Sequence, residues 1–386
     1  MKKIVFFSTP AFGHILAEEP IISALVKKGY SVDWYSSKRF SGIINKSGAN
    51  FIPYKADFDS YYDLATVTKD FYILMETIIS ISRDCFLEYN EKIRQKKPDL
   101  ILYDSMCAFA KNIAKSQNIQ SVCLCSTMAF NLLTSIGTCL AFPIVKLGVT
   151  RCFDILKIII TERRFRKQHN LPHLSLIDLY INRGDLTLVL SPREFQPFAW
   201  SFPKSFKFVG ATVKDKHCML SRNYGKYDIY ISMGSIFTEN EMLLRRICDS
   251  EEFKNKKTII NVGKLKIKNN HRNIKLVEYT DQLSLLKSTG LFINHGGIGS
   301  VYDSIYMQVP QICIPQQEEQ RMVAKNVHKK RVGIYVKHFN PKKINIYMKK
   351  LEKNSQNISK YSTLLRNTDG TENAVSEIEK IIGNTK

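Results

Sequence analysis

The chain has 386 residues, 44% hydrophobic and 24% charged, with 57 Lys and Arg against 35 Asp and Glu and a net charge of +22. That length supports two domains with self-sufficient cores, and the ordinary composition excludes a disordered or low-complexity chain. With no repeat period, no zinc-ligand spacing, no HExxH and no aromatic-interleaved basic module, the solenoid, zinc-site and nucleic-acid-binding classes are set aside, leaving an anionic membrane surface, phosphorylated ligands or plain solvated faces to explain the charge.

Lys3–Ser8 opens the chain as a buried strand. Its apolar run is too short for a leader, because Ser8 and Thr9 cut it off. Ile15–Lys28 has helical periodicity and ends at Gly29, a good cap. Ser31–Tyr35, Asp99–Tyr103 and Ile119–Leu124 are further short strands, and the alternation with helices predicts a parallel sheet covered on both faces. Tyr61–Lys96 and Phe130–Lys167 read as long, mainly helical stretches. Asn131, Pro143 and Lys146 break the apolar region Ala129–Val149, which argues against a membrane span. Leu186–Leu190 is a strand, and the pattern weakens from Pro203 to Lys216. A second alternating series then follows. Its strands are Ile229–Met233, Thr258–Val262, a short Lys275–Glu278, Leu291–Asn294 and Gln311–Ile314. Its helices are Glu241–Cys248, Gly296–Met307 and Met322–Lys330. The last helix, Asn373–Ile382, fits either half. The expected fold is α/β, two Rossmann-like doubly wound domains facing across a cleft, divided as 1–215 and 216–370, with 371–386 free to pack back on the first. Nine scattered cysteines without a CxxC pair read as buried free thiols of a reducing, cytoplasmic compartment.

Three segments carry chemistry. In Leu291–Ser300, a strand ends in His295-Gly-Gly-Ile-Gly-Ser300 and a helix begins. The unpaired N–H groups and dipole of such a helix start suit an anion, and Asp303 lies one turn on, able to accept from a ribose. Pro315–Gln320 follows a strand at its carboxyl edge, where an acid beside an amide suits sugar hydroxyls. Ser8–His14 joins the first strand to the first helix, where His14 has the titration range of a general base. Asp104 ends a strand that can neighbour the first, and a carboxylate there can orient His14. Each also has a plain structural reading: tight packing, a solvated acidic helix start, a structural histidine. No GxSxG nucleophile is present, so an acceptor hydroxyl fits as the attacking group.

Together these segments resemble the family 1 glycosyltransferases of the two-Rossmann GT-B fold, and within them the bacterial macrolide and natural-product branch. The resemblance covers nearly the whole chain in order: Pro10-Ala-Phe-Gly-His14, Pro98-Asp-Leu-Ile-Leu-Tyr-Asp104, Ser191–Pro197, Ile231-Ser-Met-Gly-Ser235, His295–Ser300 and Pro315–Gln320. It implies that His14 deprotonates the acceptor, with Asp104 as partner. It implies that Tyr279 stacks on the base and Gln282 contacts the nucleoside. Ser235, His295, Gly297, Gly299 and Ser300 would hold the diphosphate, Asp303 the ribose, and Glu319 and Gln320 the sugar. The implied reaction is an inverting transfer from a UDP-sugar, with glucose as first candidate, needing no metal or other cofactor. The implied acceptor is hydrophobic, a small molecule or a lipid lying against Tyr61–Lys96 and Phe130–Lys167. Four positions depart from the family: Asp303 replaces glutamate, Tyr279 tryptophan, Asp281 a proline, and Ala17 the proline three residues after His14. Peripheral contact with an anionic inner membrane face, as in glycolipid synthesis, stays open, as does the choice of monomer or homodimer. The rival classes are a nucleotide-sugar epimerase and a non-catalytic partner subunit, and the retained His14 and Asp104 argue against the second.

Overall fold

The computed structural model describes residues 1–55, 71–131, 133–134, 152–171, 183–213, 224–234 and 241–383. The chain divides into two compact units, Met1–Thr212 with Gly370–Lys386, and Val213–Asp369.

In the first unit, β1 (Lys3–Phe7), β2 (Ser31–Ser36), β3 (Asn50–Pro53), β4 (Leu100–Asp104), β5 (Ser121–Cys125), β6 (Leu186–Val189) and β7 (Phe206–Phe208) form one sheet. Its order is β3-β2-β1-β4-β5-β6-β7, and every pairing is parallel. The continuous apolar runs of the central strands follow from burial on both faces. Ile4, Phe6, Leu100, Leu102, Val122 and Leu124 pack on one side with Ile15, Ile22 and Leu25 of α1 (Phe12–Lys27). Val5, Phe7, Ile101, Tyr103 and Cys123 turn to the other side, against α3 (Phe71–Lys96) and α4 (Ala108–Gln117), which follow the short α2 (Ser41–Lys46). The helix α5 (Cys152–Gln168) packs beside α3. α1 stops where Gly29 turns to a φ of +92°, so that Tyr30 N–H reaches back to the Leu25 carbonyl at 3.2 Å.

In the second unit, β8 (Tyr227–Ser232), β9 (Thr258–Asn261), β10 (Ile274–Val277), β11 (Thr289–Asn294), β12 (Gln311–Cys313) and β13 (Ile334–Tyr335) pair in parallel in the order β10-β9-β8-β11-β12-β13. The helices are α6 (Glu241–Cys248), α7 (Gln282–Leu286), α8 (Ile298–Tyr306), α9 (Glu318–Lys329), α10 (Ile344–Leu351) and α11 (Ser355–Asn367). Each sheet reverses its strand order once, between β1 and β4 and between β8 and β11. Ligand crevices of open α/β sheets form at such points.

The strands β3, β7 and β13 escape the sequence reading. All three lie at or beside sheet edges and are short, and β3 carries Pro53, which an edge tolerates. α10 and α11 escape it too, because α10 buries only Ile344 and Leu351 and is flanked and interrupted by Lys342, Lys343, Lys349 and Lys350. Six cysteines among the described residues are free and buried, and no described helix is long and apolar enough to cross a membrane. Of the two stretches expected to meet the acceptor, residues 61–70, 132 and 135–151 lie outside the described residues.

The closing helix α12 (Gly370–Gly383) belongs to the first unit. Ala374, Val375, Ile378 and Ile382 enter the core that α1 shares with the sheet. Asn373 donates to the Val209 carbonyl at 3.0 Å, and Lys28 bridges Glu372 and Glu379 at the rim. Ile378→Ala is expected to cost the first unit about 2–5 kcal/mol in denaturant unfolding, through lost burial and the cavity left behind. Lys28→Ala, at an exposed ion pair screened by solvent, is expected to shift the same titration far less than Ile378→Ala.

Candidate functional site

At the switch point of the first unit, β1 and β4 lie side by side, with Phe7 opposite Tyr103. Asp104 is the last residue of β4 and is wholly buried. The turn after β1 brings Thr9 against it, and its Oγ1 donates to Asp104 Oδ1 at 2.5 Å. Met106 N–H donates to the same oxygen at 2.8 Å. His14, in the first turn of α1, places Nδ1 2.7 Å from Asp104 Oδ2, while its side chain keeps 16% of its surface open. Ser126, one residue past β5, lies 2.9 Å from the same nitrogen and donates to Oδ2 at 3.3 Å. The β1 turn is itself pinned: Trp34 Nε1 donates to Ser8 Oγ at 2.7 Å, Tyr54 to the Ser8 carbonyl at 2.9 Å, and the Arg39 guanidinium to the Pro10 carbonyl.

Burial alone would raise the Asp104 carboxyl. The His14 ring beside it, and hydrogen bonds from His14 and Thr9, outweigh that and hold it well below the usual carboxylate range. Glu18 is also fully buried, and burial followed by the nearby Asp104 charge pushes its carboxyl well up. The nearest ligand atoms of His14, Glu18 and Asp104 all lie within 4.8 Å of one another.

The second unit repeats the switch-point geometry with different chemistry. β11 ends at Asn294, whose side chain accepts from Gly296 N–H at 2.8 Å and donates to Gln311 at 3.1 Å. Gly296 takes a φ of +82° and sits so close to α9 that a Cβ would come within 2.9 Å of the Gln320 carbonyl. The His295 ring packs against Gly234 and Gly297, where added Cβ atoms would meet it at 3.2 and 2.4 Å. Burial pushes that ring down to about 4, so it is a neutral imidazole at ordinary pH, and its Nδ1 is buried without a partner. The helix α8 begins at Gly297 with no side-chain cap and no acid in its first turn, leaving its N–H groups open.

Gln282 donates to Asp303 Oδ2 at 2.7 Å and to Ser300 Oγ at 3.3 Å, so the two residues expected at the nucleoside meet one expected at the diphosphate. Asp281, where the related family has proline, caps α7 by accepting from Ser284 N–H at 3.3 Å and from its hydroxyl at 2.6 Å. Tyr230 and Thr280 share a 2.7 Å hydrogen bond beneath the loop, and Tyr279 stands out from it, 70% exposed. In the Pro315–Gln320 segment, Gln320 is buried and its Oε1 accepts from Gln316 N–H at 2.9 Å, while Glu319 stands partly exposed at the start of α9. Ser235 lies outside the described residues.

The structure thus joins His14 to Asp104, and Gln282 to Ser300 and Asp303. It gathers His295 and Gly297 at the start of α8, with Gly299 one residue into the helix and open to space within 4 Å. The sequence reading missed Thr9, Ser126 and Glu18. One signal pointed to the first two, polar residues just past the carboxyl ends of β1 and β5, whereas nothing local marked Glu18.

Gly296→Ala is expected to cost about 1–2 kcal/mol or more of stability, from the left-handed backbone plus the carbonyl clash. Gly299→Ala is expected to leave the melting temperature unchanged or slightly raised, since alanine is the better helix former by about 1 kcal/mol. Thermal scans of the two variants check this contrast.

Residues 236–379 match the glycosyltransferase family 28 C-terminal domain. Over 353 residues the chain is 26% identical to the NDP-glycosyltransferase YjiC of Bacillus licheniformis, covering 88% of this chain and 85% of that protein. Over 351 residues it is 24% identical to YojK of Bacillus subtilis, described as an uncharacterised UDP-glucosyltransferase, covering 87% and 85%. The solved glycosyltransferase of kitacinnamycin superposes with a TM-score of 0.86 at 20% identity, over 99% of each chain. The chain is thus a glycosyltransferase of the two-unit GT-B fold, and its residues 236–379 are similar to the glycosyltransferase family 28 C-terminal domain.

Proposed function

We propose that the protein transfers a hexose, with glucose as first candidate, from a UDP-sugar to a hydroxyl of a hydrophobic natural-product acceptor, with inversion at the anomeric carbon and no metal. The observation that carries this reading is the 2.7 Å contact between His14 Nδ1 and Asp104 Oδ2 at the switch point of the first unit. An ionised Asp104 can only accept, so it keeps the proton on Nδ1 and leaves the Nε2 lone pair for an incoming hydroxyl. The acceptor oxygen then attacks the anomeric carbon while the bond from that carbon to the diphosphate oxygen breaks. Its proton passes to Nε2, and Asp104 stabilises the imidazolium so formed.

In the second unit the roles follow from donors and exposure. The open N–H groups of α8, the neutral His295 and Ser300 would take the diphosphate and the charge that builds on it, with Gly297 and Gly299 letting it approach. Gln282 and Asp303, already hydrogen-bonded, would hold the nucleoside, and the exposed Tyr279 would stack on its base. Ser235, Glu319 and Gln320 complete the proposed donor contacts. The names of YojK and YjiC support a nucleotide-sugar donor. The kitacinnamycin enzyme supports a natural-product acceptor. So do the large apolar side chains of Phe12, Leu16 and Met106, exposed beside His14 and Asp104 in the chain.

The test is transfer from UDP-glucose, and from a TDP-sugar, to a panel of macrolides and hydrophobic phenols, with and without chelator. Activity that chelator abolishes overturns the metal-free mechanism. Binding without transfer to any acceptor favours the non-catalytic reading. His14→Ala is expected to lower kcat by about 10²–10⁴-fold while calorimetry finds the UDP-glucose Kd unchanged. Loss of both refutes the role. Because His295 stays neutral, UDP-glucose affinity is expected to change less than about twofold between pH 5.5 and 8.

A further inference from the structure

Glu18 has no part in the transfer just described, yet it is placed as though it had one. It lies one turn after His14 on the same face of α1, with none of its surface exposed. Both carboxyl oxygens are shut off from solvent, and among the described residues no donor is aimed at either. It is gathered with His14 and Asp104, and one ligand atom from each of the three falls within 4.8 Å of the others. Two ionised carboxylates in so dry a place would repel each other strongly, with nothing to solvate the second. Asp104 is the one held ionised, since Thr9, Met106 N–H, His14 and Ser126 all point donors at it. A proton on Glu18 resolves the conflict and makes a donor of an otherwise orphaned group.

We propose that Glu18 is a positioning residue, a neutral carboxylic acid whose O–H donates to Asp104 and so fixes the carboxylate that orients His14. This rests on the proposed role of His14 as base. The other titratable groups near Glu18 are few. They are His14 on its own helix, Asp104 at the end of β4, Cys107 in the turn after it, and Cys123 and Cys125 on β5. Burial pushes the Cys107 and Cys123 thiols well up, so both are neutral. A metal ion bridging His14, Glu18 and Asp104 is the rival resolution. It competes poorly, because the two Asp104 oxygens already receive four hydrogen bonds.

Two measurements on the resting protein need no substrate. In the infrared difference spectrum of wild type minus Glu18→Gln at neutral pH, a protonated-carboxyl C=O stretch is expected. An ionised-carboxylate band in its place overturns the proposal. The second is the titration of His14 by carbon–proton NMR. Glu18→Leu removes the donor to Asp104, concentrates charge on that carboxylate, and is expected to raise the His14 midpoint by about 0.5–1 unit. Glu18→Gln, whose amide N–H can replace the O–H, is expected to restore it. Equal shifts in both variants, or none in either, sink the idea, and a dependence of the midpoint on added zinc would favour the metal.

Linkage supplies a third readout if Glu18→Leu fails to fold. Above the ordinary glutamate titration range the unfolded Glu18 has lost a proton that the folded one keeps, so this group's contribution to stability falls as pH rises. The melting temperature of wild type relative to Glu18→Gln is therefore expected to drop as pH rises above that range, and a flat difference counts against the proposal. In turnover, Glu18→Leu is expected to lower kcat about tenfold and move the acid limb of the pH profile up with the NMR midpoint, leaving KM for UDP-glucose unchanged. If His14 proves not to be the base, the resting-state results still stand or fall alone.

Discussion

One buried charge organises the first unit. Asp104 has no exposed surface, and an ion in such a place is tolerated when its lone pairs are filled. The donors that fill them come from different parts of the chain: the turn after β1, the first turn of α1, the turn after β4 and the residue after β5. The same bonds that make the charge bearable therefore lock the ends of three neighbouring strands to one another. Geometry at His14 is a by-product of that solvation, with no separate scaffold needed to aim the ring.

The second unit meets the same topological position with a neutral imidazole, His295, in place of the buried carboxylate. Its loop is shaped by what is missing: Gly234 and Gly297 make room for the His295 ring, and Gly296 lets the backbone pass close under α9. The ring is neutral, and the helix behind it offers bare N–H groups. Such a surface suits a ligand that carries its own negative charge, since fixed dipoles hold it without an opposing ion whose desolvation must be overcome. Under the proposed function the two switch points would divide the labour, the first taking up a proton and the second accepting an anion.

Much of this was legible in the residues. The central strands are apolar on both faces, so their runs stood out, and Gly29 marked the end of α1. The pairing of His14 with Asp104 was legible because both close strand-to-helix turns at one switch point. Edge strands were not, since β3 and β13 bury too little to need a clear pattern. Glu18 was hidden for a different reason. A glutamate in a helix ordinarily faces water, and nothing in Ala17-Glu18-Glu19-Pro20 separates the buried acid from an exposed one until the sheet is placed behind it. Asp281 looked like a defect in the nucleotide site by comparison with the related family, whereas its side chain caps α7.

The position of α12 gives the molecule an order of assembly. Four of its apolar residues belong to the core that α1 and the first sheet begin, but the whole second unit, Val213–Asp369, comes between. During synthesis the first unit is therefore left with an uncovered apolar strip while the whole second unit emerges and becomes free to fold. The second unit is in effect an insertion, and the chain leaves and re-enters its host at nearly one point, because Gly370 nestles against the Gly210 and Ala211 carbonyls. A nascent first unit is a natural client for chaperones until that last helix arrives, whereas the second can mature ahead of it.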